Sequence, residues 1–187
     1  MTRVLARNPN SSLAQAESYG AKYLADANPA LSSALWGASD LHPSLPRAFG
    51  LVALVNVVGA SFTVVALSFK VGKARKDYGV ELPTMYAAGK DAKSVKFNCV
   101  QRGHQQALET FPMFLAASLV GGVRYPVSVA AFGLLWMRAR FAWAEGYATG
   151  DPKNRYANAW GYFIWTGLMG TFTACGAVGL ELLGVIA

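Results

Sequence analysis

The chain has 187 residues, of which 53% are hydrophobic and only 14% are charged, against roughly 25% charged residues in soluble domains. The charges are clumped, so long stretches carry none, and this pattern indicates a polytopic membrane protein. The net charge of +7 comes from basic residues at helix ends and in one loop, which favours anionic headgroups or an anionic substrate over nucleic acid. With two cysteines, two histidines and no CxxC motif, the sequence predicts no metal site.

The first part of the chain, residues 1–46, is predicted to be an N-terminal arm outside a membrane domain at residues 47–187. It is rich in Ala, Ser, Asn and Pro. Its first sixteen residues contain Arg3 and Arg7 but no acidic residue, which resembles a mitochondrial transit peptide, although Glu17 follows soon afterwards.

Local structure within this arm is also predicted. Ser12 to Ala27 is expected to form a short, weakly amphipathic helix, and Ser39 or Asp40 is expected to cap a further turn. Because the arm has little apolar surface, we expect it to rest on a membrane surface or a partner subunit, or to have no role.

The first membrane span follows the arm. No charged residue lies between Arg47 and Lys70, and about 20 residues suffice to cross hydrocarbon, so a helix is predicted from Ala48 to Phe69. Residues 70–96 are predicted to be a polar loop, since they are basic and Pro83 would interrupt a continuing helix. The basic residues of this loop are Lys70, Lys73, Arg75, Lys76, Lys90, Lys93 and Lys96.

Three further spans are predicted after the loop. The second runs from Phe97 to Gly122 with a bend at Pro112, and Gly121–Gly122 and Pro126 are predicted to mark a tight turn. The third runs from Tyr125 to Gly146, and the fourth, without any charge, from Tyr156 to Leu180. The predicted fold class is therefore an all-α integral membrane protein, a four-transmembrane-helix bundle with an extra N-terminal arm.

Basic residues also predict the orientation of this bundle. They concentrate in the loop after the first span and around the loop after the third, whereas the connection between spans two and three has only Arg124. By the positive-inside rule, both basic loops lie on the cytosol-like side and both termini lie opposite. The polar ends of spans two and three therefore share one end of the bundle.

The second span carries polar side chains that are costly in a membrane. Arg102, Gln106 and Glu109 lie at i, i+4 and i+7 and share one stripe of the helix. Ionisable groups at membrane depth usually face the bundle interior or a wet cavity, and they are functional candidates. Since Arg140 and Tyr147 of the third span lie at the same end, we predict one site formed by both spans.

Several arginines at a membrane face suit a small anion with carboxylates, because a guanidinium is a planar fork that keeps its charge when partly desolvated. A nearby cation also lowers the pKa of a ligand thiol. Trp143 and Tyr147, at i and i+4, could form a wall of the pocket. The site would suit a zwitterionic thiol peptide beside a lipid-borne electrophile.

Each of these features also has a purely structural interpretation. Arg102 and Glu109 could be an intramembrane ion pair that holds helices together. The arginines of the third span could extend to headgroups, and its aromatic residues could belong to an interfacial belt. His104 could hydrogen-bond a neighbouring helix rather than a ligand.

Four motifs follow one another along the chain: KARKDYGVELPTMY, FNCVQRGHQQALETFP, GGVRYP and EGYATGDPKNR. Through them, the chain from about residue 47 to 180 resembles the MAPEG family of membrane-associated eicosanoid and glutathione proteins. Within that family the likeness is to microsomal glutathione transferases of type three. The resemblance implies a four-helix membrane bundle assembled as a trimer, with glutathione as co-substrate bound between neighbouring subunits near the cytosolic face.

The resemblance also implies which residues would bind glutathione. By position in the motifs, Arg102 and Glu109 match the family's glutathione-binding arginine and glutamate. Arg140 and Tyr147 match an arginine and a tyrosine of the third helix.

The same comparison of motifs gives two further arginines that match the family and two residues that differ from it. Arg75 or Lys76 falls where the family has a loop arginine near the thiol, and Arg155 matches an arginine after the third helix. Arg75 and Arg155 are therefore the predicted catalytic residues. Gln106 replaces a glutathione-contacting asparagine and Trp143 replaces a tyrosine, and both are predicted to line the binding site.

The resemblance implies an enzyme that conjugates glutathione to lipophilic electrophiles or reduces lipid hydroperoxides. Its partners would be membrane lipids, the lipophilic substrate and further copies in a homotrimer, in the endoplasmic reticulum or a mitochondrial membrane. The alternative is a non-catalytic structural subunit of a larger membrane complex, for example a mitochondrial respiratory complex, with the arm as its docking element.

Overall fold

A computed structural model of the protein describes residues 22–23, 25–37 and 45–186. These residues are almost entirely helical and contain no β-strand. The short helix α1 spans Pro29–Trp36. A continuous helix α2 spans Phe49–Tyr78, and α3 spans Ala92–Arg124.

The second half of the bundle consists of two helices joined by two short 3₁₀ helices. Helix α4 spans Pro126–Tyr147 and helix α5 spans Phe163–Leu182. The 3₁₀ helices between them span Pro152–Tyr156 and Ala159–Tyr162. The four long helices α2 to α5 pack against one another as a bundle.

The N-terminal arm is described only in part. Helix α1 begins at Asn28, whose side chain accepts a hydrogen bond from the Leu31 amide at 3.0 Å. Its C-terminal end is tied to the start of the bundle, because the Ala48 amide donates to the Leu35 carbonyl at 2.7 Å. Of the helix predicted at 12–27, only residues 22–23 and 25–27 are described, and these are helical. The predicted cap at residues 39–40 lies outside the described residues.

Helix α2 confirms the first span but continues to Tyr78, so the predicted loop boundary at residue 70 is wrong. The extra turns are stable because Val71 and Ala74 lie on one face and pack against Phe97. Gly79, with φ +69°, ends the helix in the left-handed conformation. Residues Ala53–Gly59 form a π-helical segment within α2.

Helix α3 is longer than predicted at both ends. It begins at Asp91, whose carboxylate accepts from the amides of Lys93 and Ser94, and it continues through Pro112. The predicted turn lies at Pro126 and not at Gly121–Gly122, because both glycines are helical and only Tyr125, directly before Pro126, separates α3 from α4.

Gly121 lies where α3 and α5 approach closely. A Cβ there would meet the Ala174 Cβ and the Cys175 amide nitrogen, each at 2.9 Å. The glycine therefore permits a close helix–helix contact, as small residues do in membrane bundles.

We expect Gly121→Ala to destabilise the protein by about 1–3 kcal/mol, since backbone atoms of α5 would have to shift. Gly176→Ala is the matched control, because a Cβ at this helical position meets nothing within 4 Å. It should be neutral or stabilising by up to roughly 1 kcal/mol. Thermal unfolding in detergent measures both changes, and equal effects would contradict the proposed contact.

The fourth span also begins later than predicted. The Asp151 carboxylate accepts from the Lys153 amide at 2.9 Å, and the Asn158 side chain accepts from the Trp160 amide at 3.0 Å. These two caps start the 3₁₀ helices that precede α5, so the stretch that begins at Tyr156 is not α-helical until Phe163.

Among the residues that the structure describes, three helical stretches are long and apolar enough to cross a membrane: Phe49–Tyr78, Ala92–Arg124 and Ala159–Leu182. Helix α4 is not among them, since Arg138 and Arg140 lower its mean hydropathy. The chain is therefore a multi-pass membrane protein, and the number of four spans stays a prediction.

Candidate functional site

The predicted stripe on α3 contains a two-pronged ion pair. Arg102 Nη1 lies 2.6 Å from Glu109 Oε1, and Arg102 Nη2 lies 3.3 Å from Glu109 Oε2. The side chains are 41% and 45% exposed on the outer flank of the single chain. The hydroxyl of Tyr86, from the connection before α3, also interacts with Arg102. The pair lies within one helix, so it does not hold two helices of this chain together.

A second polar cluster joins α3 to α4. Arg140 is 1% exposed, and its two Nη groups donate to the Gln106 side-chain oxygen and to the Thr110 hydroxyl. Its guanidinium lies 4.7 Å from the centroid of Trp136. No carboxylate pairs with Arg140 in the part of the chain that the structure describes. This cluster holds a buried positive charge between two helices.

Gln106 connects the two clusters in sequence, because it lies one helical turn after Arg102 on the same stripe. The predicted convergence of the two helices is therefore seen between Gln106 and Arg140. Arg102 and Glu109 lie on the exposed flank beside this contact and do not touch Arg140.

Trp143 and Tyr147, the two aromatic residues of α4 predicted to line the site, also lie together, with ring centroids 4.7 Å apart. Trp143 is buried in a cluster with Ala139 and Ile164, and Tyr147 and Tyr156 pack against it. In the single chain, Trp143 is therefore part of the contact between α4 and the start of α5.

Of the two predicted catalytic arginines, Arg75 lies in the last turn of α2 and Arg155 lies in the 3₁₀ helix Pro152–Tyr156. Arg75 donates to the Thr84 carbonyl at 2.7 Å and lies 5.3 Å from the Phe97 ring centroid. Arg155 donates to the Pro152 carbonyl at 2.7 Å and lies 5.0 Å from the Tyr156 ring centroid. Neither contacts the Arg102–Glu109 pair or Arg140.

The pKa of the Tyr156 phenol depends on the neighbouring Arg155 side chain. Burial raises the pKa of the Tyr156 phenol, but the hydrogen bond that Trp165 donates to it and the positive charge of Arg155 favour the phenolate and outweigh this effect. The net pKa of Tyr156 lies below its usual value.

We therefore expect Arg155→Gln to raise the pKa of Tyr156, because the phenolate would lose a favourable charge. An absorbance titration at alkaline pH, with Tyr156→Phe to assign the transition, measures the shift. The matched control is Lys153→Gln, which removes an exposed charge two residues away. If the titration midpoint of Tyr156 is unchanged in Arg155→Gln, the placement of Arg155 beside Tyr156 is wrong.

A cavity of about 210 Å³ lies elsewhere at the same end of the bundle. A Lys70–Glu145 ion pair of 3.1 Å borders it, and His104 lines it without a hydrogen bond to any described residue. None of the predicted site residues lines this cavity. Its lining residues are Leu67, Lys70, Lys73, Ala74, Asp77, Tyr78, Val100, His104, Ala144, Glu145 and Ala148.

Sequence reasoning missed two participants in these clusters. Thr110 lies one turn after Gln106, a spacing that could have indicated it, whereas no sequence signal placed Tyr86 beside Arg102. Cys99 is buried and Cys175 is partly buried, and both are free thiols. Among the described residues, no group of histidine, cysteine or acidic residues could hold a metal ion.

A comparison with protein families places this geometry in a known context. The family model described as "MAPEG family" matches residues 52–174, which is more than half of the chain. The match includes every predicted site residue and most of α2 to α5. It leaves out the N-terminal arm and α1.

Proposed function

The chain belongs to the MAPEG family, and from that membership we propose that it is a membrane-bound glutathione transferase or glutathione-dependent peroxidase. The family includes membrane glutathione transferases, and its members typically use glutathione as a substrate. We propose type three of the microsomal glutathione transferases as its nearest kind. Its substrates would be lipophilic electrophiles or lipid hydroperoxides that enter from the bilayer.

The observation that carries this proposal is the exposed Arg102–Glu109 pair on a membrane-spanning helix. Charged groups in a membrane normally face a bundle interior or a wet cavity rather than lipid. The flank that carries the pair is therefore expected to be covered by a neighbouring subunit, with a polar site between them. A homotrimer would place such a site at each subunit contact.

The residues beside this flank suit a zwitterionic peptide. Arg102 and the buried Arg140 would attract the glutathione carboxylates, and Glu109 would accept the ammonium group. Gln106 would add an amide contact, and Trp143 with Tyr147 would border the peptide. Arg140 also has an Nε–H without an acceptor among the described residues.

Arg75 and Arg155 would act on the thiol. A guanidinium near the sulfur lowers the thiol pKa and favours the thiolate. In conjugation, the thiolate forms a carbon–sulfur bond as the electrophile loses its leaving group or takes up a proton. In peroxidase chemistry, two glutathiones reduce the hydroperoxide to an alcohol and water and become glutathione disulfide.

Equilibrium binding of glutathione to the purified, detergent-solubilised protein tests this proposal. We expect saturable binding that Arg102→Ala weakens at least tenfold. Lys93→Ala, which removes an exposed basic residue near the start of α3, is the control and should bind as the unmodified protein does. Absence of binding in the unmodified protein would reject the glutathione-dependent function.

The alternative is a structural subunit of a larger membrane complex, such as a mitochondrial respiratory complex. It is favoured by the arm, which lies outside the family match and is tied by its backbone to the start of α2. It is also favoured by Trp143, which packs within the chain rather than lining an open pocket. The oligomeric state separates the two proposals, because a single copy in a large complex cannot form a site between identical subunits.

A further inference from the structure

Arginine and aromatic side chains form a patch where the chain passes from α4 to α5. Arg138 lies 5.2 Å from the ring centroid of Trp160, and Trp160 lies 5.7 Å from Phe163 between centroids. On the other side, Tyr156 stacks on Tyr162 at 4.8 Å. We call this the α4–α5 patch, and it consists of Arg138, Arg155, Tyr156, Trp160, Tyr162 and Phe163.

The two arginines of the α4–α5 patch have no acidic partner in the described part of the chain. Arg138 is exposed and contacts the face of Trp160, and Arg155 donates to the Pro152 carbonyl and contacts the Tyr156 ring. Four other basic residues do pair with carboxylates: Lys70, Lys73, Arg102 and Arg124. The patch therefore presents uncompensated positive charge.

The residues next to the α4–α5 patch indicate its depth in the membrane. Trp160 is next to the first residue of the membrane-spanning stretch Ala159–Leu182, and Leu134, one turn before Arg138 on α4, is exposed. The guanidinium of Arg138 therefore lies where hydrocarbon gives way to headgroups, the depth at which Trp and Tyr accumulate. Phospholipid phosphates lie at the same depth.

An apolar stripe continues from the patch along α5. Tyr162, Trp165, Met169 and Phe172 are exposed and recur at helical spacing, so they share one face. An acyl chain can lie along this stripe while the phosphate of the same lipid contacts Arg138. An acidic protein segment would match the charge but not the stripe, so the combination favours a lipid.

We propose that the α4–α5 patch is a binding site for an anionic phospholipid. The lipid phosphate accepts hydrogen bonds from Arg138, Trp160 and Phe163 contact the glycerol region, and an acyl chain follows Trp165 and Met169. Anionic lipids are concentrated in the leaflet that faces the basic side of a membrane protein, which is the side predicted for this end of the bundle.

Relative lipid association measured by electron spin resonance tests this proposal. The full chain is reconstituted in phosphatidylcholine, and spin-labelled phosphatidylglycerol is compared with spin-labelled phosphatidylcholine. We expect the unmodified protein to prefer phosphatidylglycerol, and Arg138→Gln to lower that preference by about fivefold, the typical contribution of one basic residue at an anionic surface.

Two further variants make the result specific. Lys90→Gln removes one exposed charge of the α2–α3 connection and should leave the preference unchanged. Arg138→Lys should lose part of it, because lysine keeps the charge but not the planar stacking on Trp160. The proposal is overturned if the unmodified protein shows no preference, as a site for an acidic protein segment would give, or if Lys90→Gln and Arg138→Gln have equal effects.

Discussion

Replacing Glu109 by glutamine is expected to destabilise the assembled protein by about 3–5 kcal/mol, the usual cost of breaking a buried ion pair. The same change at an exposed pair costs only about 0–1 kcal/mol. In the single chain the Arg102–Glu109 pair is about half exposed. A large effect would therefore show that another subunit covers it in the native assembly.

The Lys73–Asp77 pair provides a matched control, because it also lies within one helix and its side chains are 81% and 52% exposed. Asp77→Asn should change stability by no more than about 1 kcal/mol. Thermal unfolding and oligomer dissociation in mild detergent measure both variants. If Glu109→Gln behaves like Asp77→Asn, the flank of α3 is not buried in the assembly and the proposed site between subunits is wrong.

Helical periodicity explains why part of this site could be predicted from the sequence. Residues four and seven positions apart share a helix face whatever surrounds them, so the stripe of Arg102, Gln106 and Glu109 required only that α3 be helical. The long uncharged stretch that became α2 was equally informative. These features depend only on local helix geometry, which can be deduced from the spacing of residues along the sequence.

The errors arose where one residue type serves two purposes. Gly121–Gly122 was predicted to turn the chain together with Pro126, but glycine also permits close helix contacts, and only the position of α5 shows which role the glycines have. Likewise, charge predicted a loop after residue 70, whereas Val71 and Ala74 gain enough burial against Phe97 to continue α2. Tertiary packing decided both cases.

The side-chain contacts of the candidate site also depend on tertiary packing, which the sequence does not show. The predicted orientation placed Arg140 at the same end as the α3 stripe, but nothing in the sequence showed that it would be buried against Trp136. Trp143 was expected to line a pocket, and nothing in the sequence showed that it would pack against Ile164 within the single chain. Arg75 and Arg155 donate to nearby backbone carbonyls and not to the stripe in the single chain, and the sequence did not show these contacts.

Arg140 is the residue whose loss should affect glutathione binding most. We expect Arg140→Ala to weaken binding by about 10- to 100-fold, equivalent to the roughly 1.5–3 kcal/mol of a hydrogen bond to a charged group. The variant should also be less stable, because Gln106 and Thr110 would lose the group that they contact. Equilibrium binding and thermal unfolding of the same preparation measure the two effects.

Thr110→Val separates charge from packing at this position. It removes the acceptor of one Arg140 N–H but leaves the guanidinium between α3 and α4. If Arg140 attracts the ligand, Thr110→Val should lower stability while it changes affinity much less than Arg140→Ala does. If Arg140 only holds the two helices together, the affinities of both variants should follow their stabilities. Because Arg140 has no carboxylate partner among the described residues, an anion would compensate its buried charge, and we expect the first result.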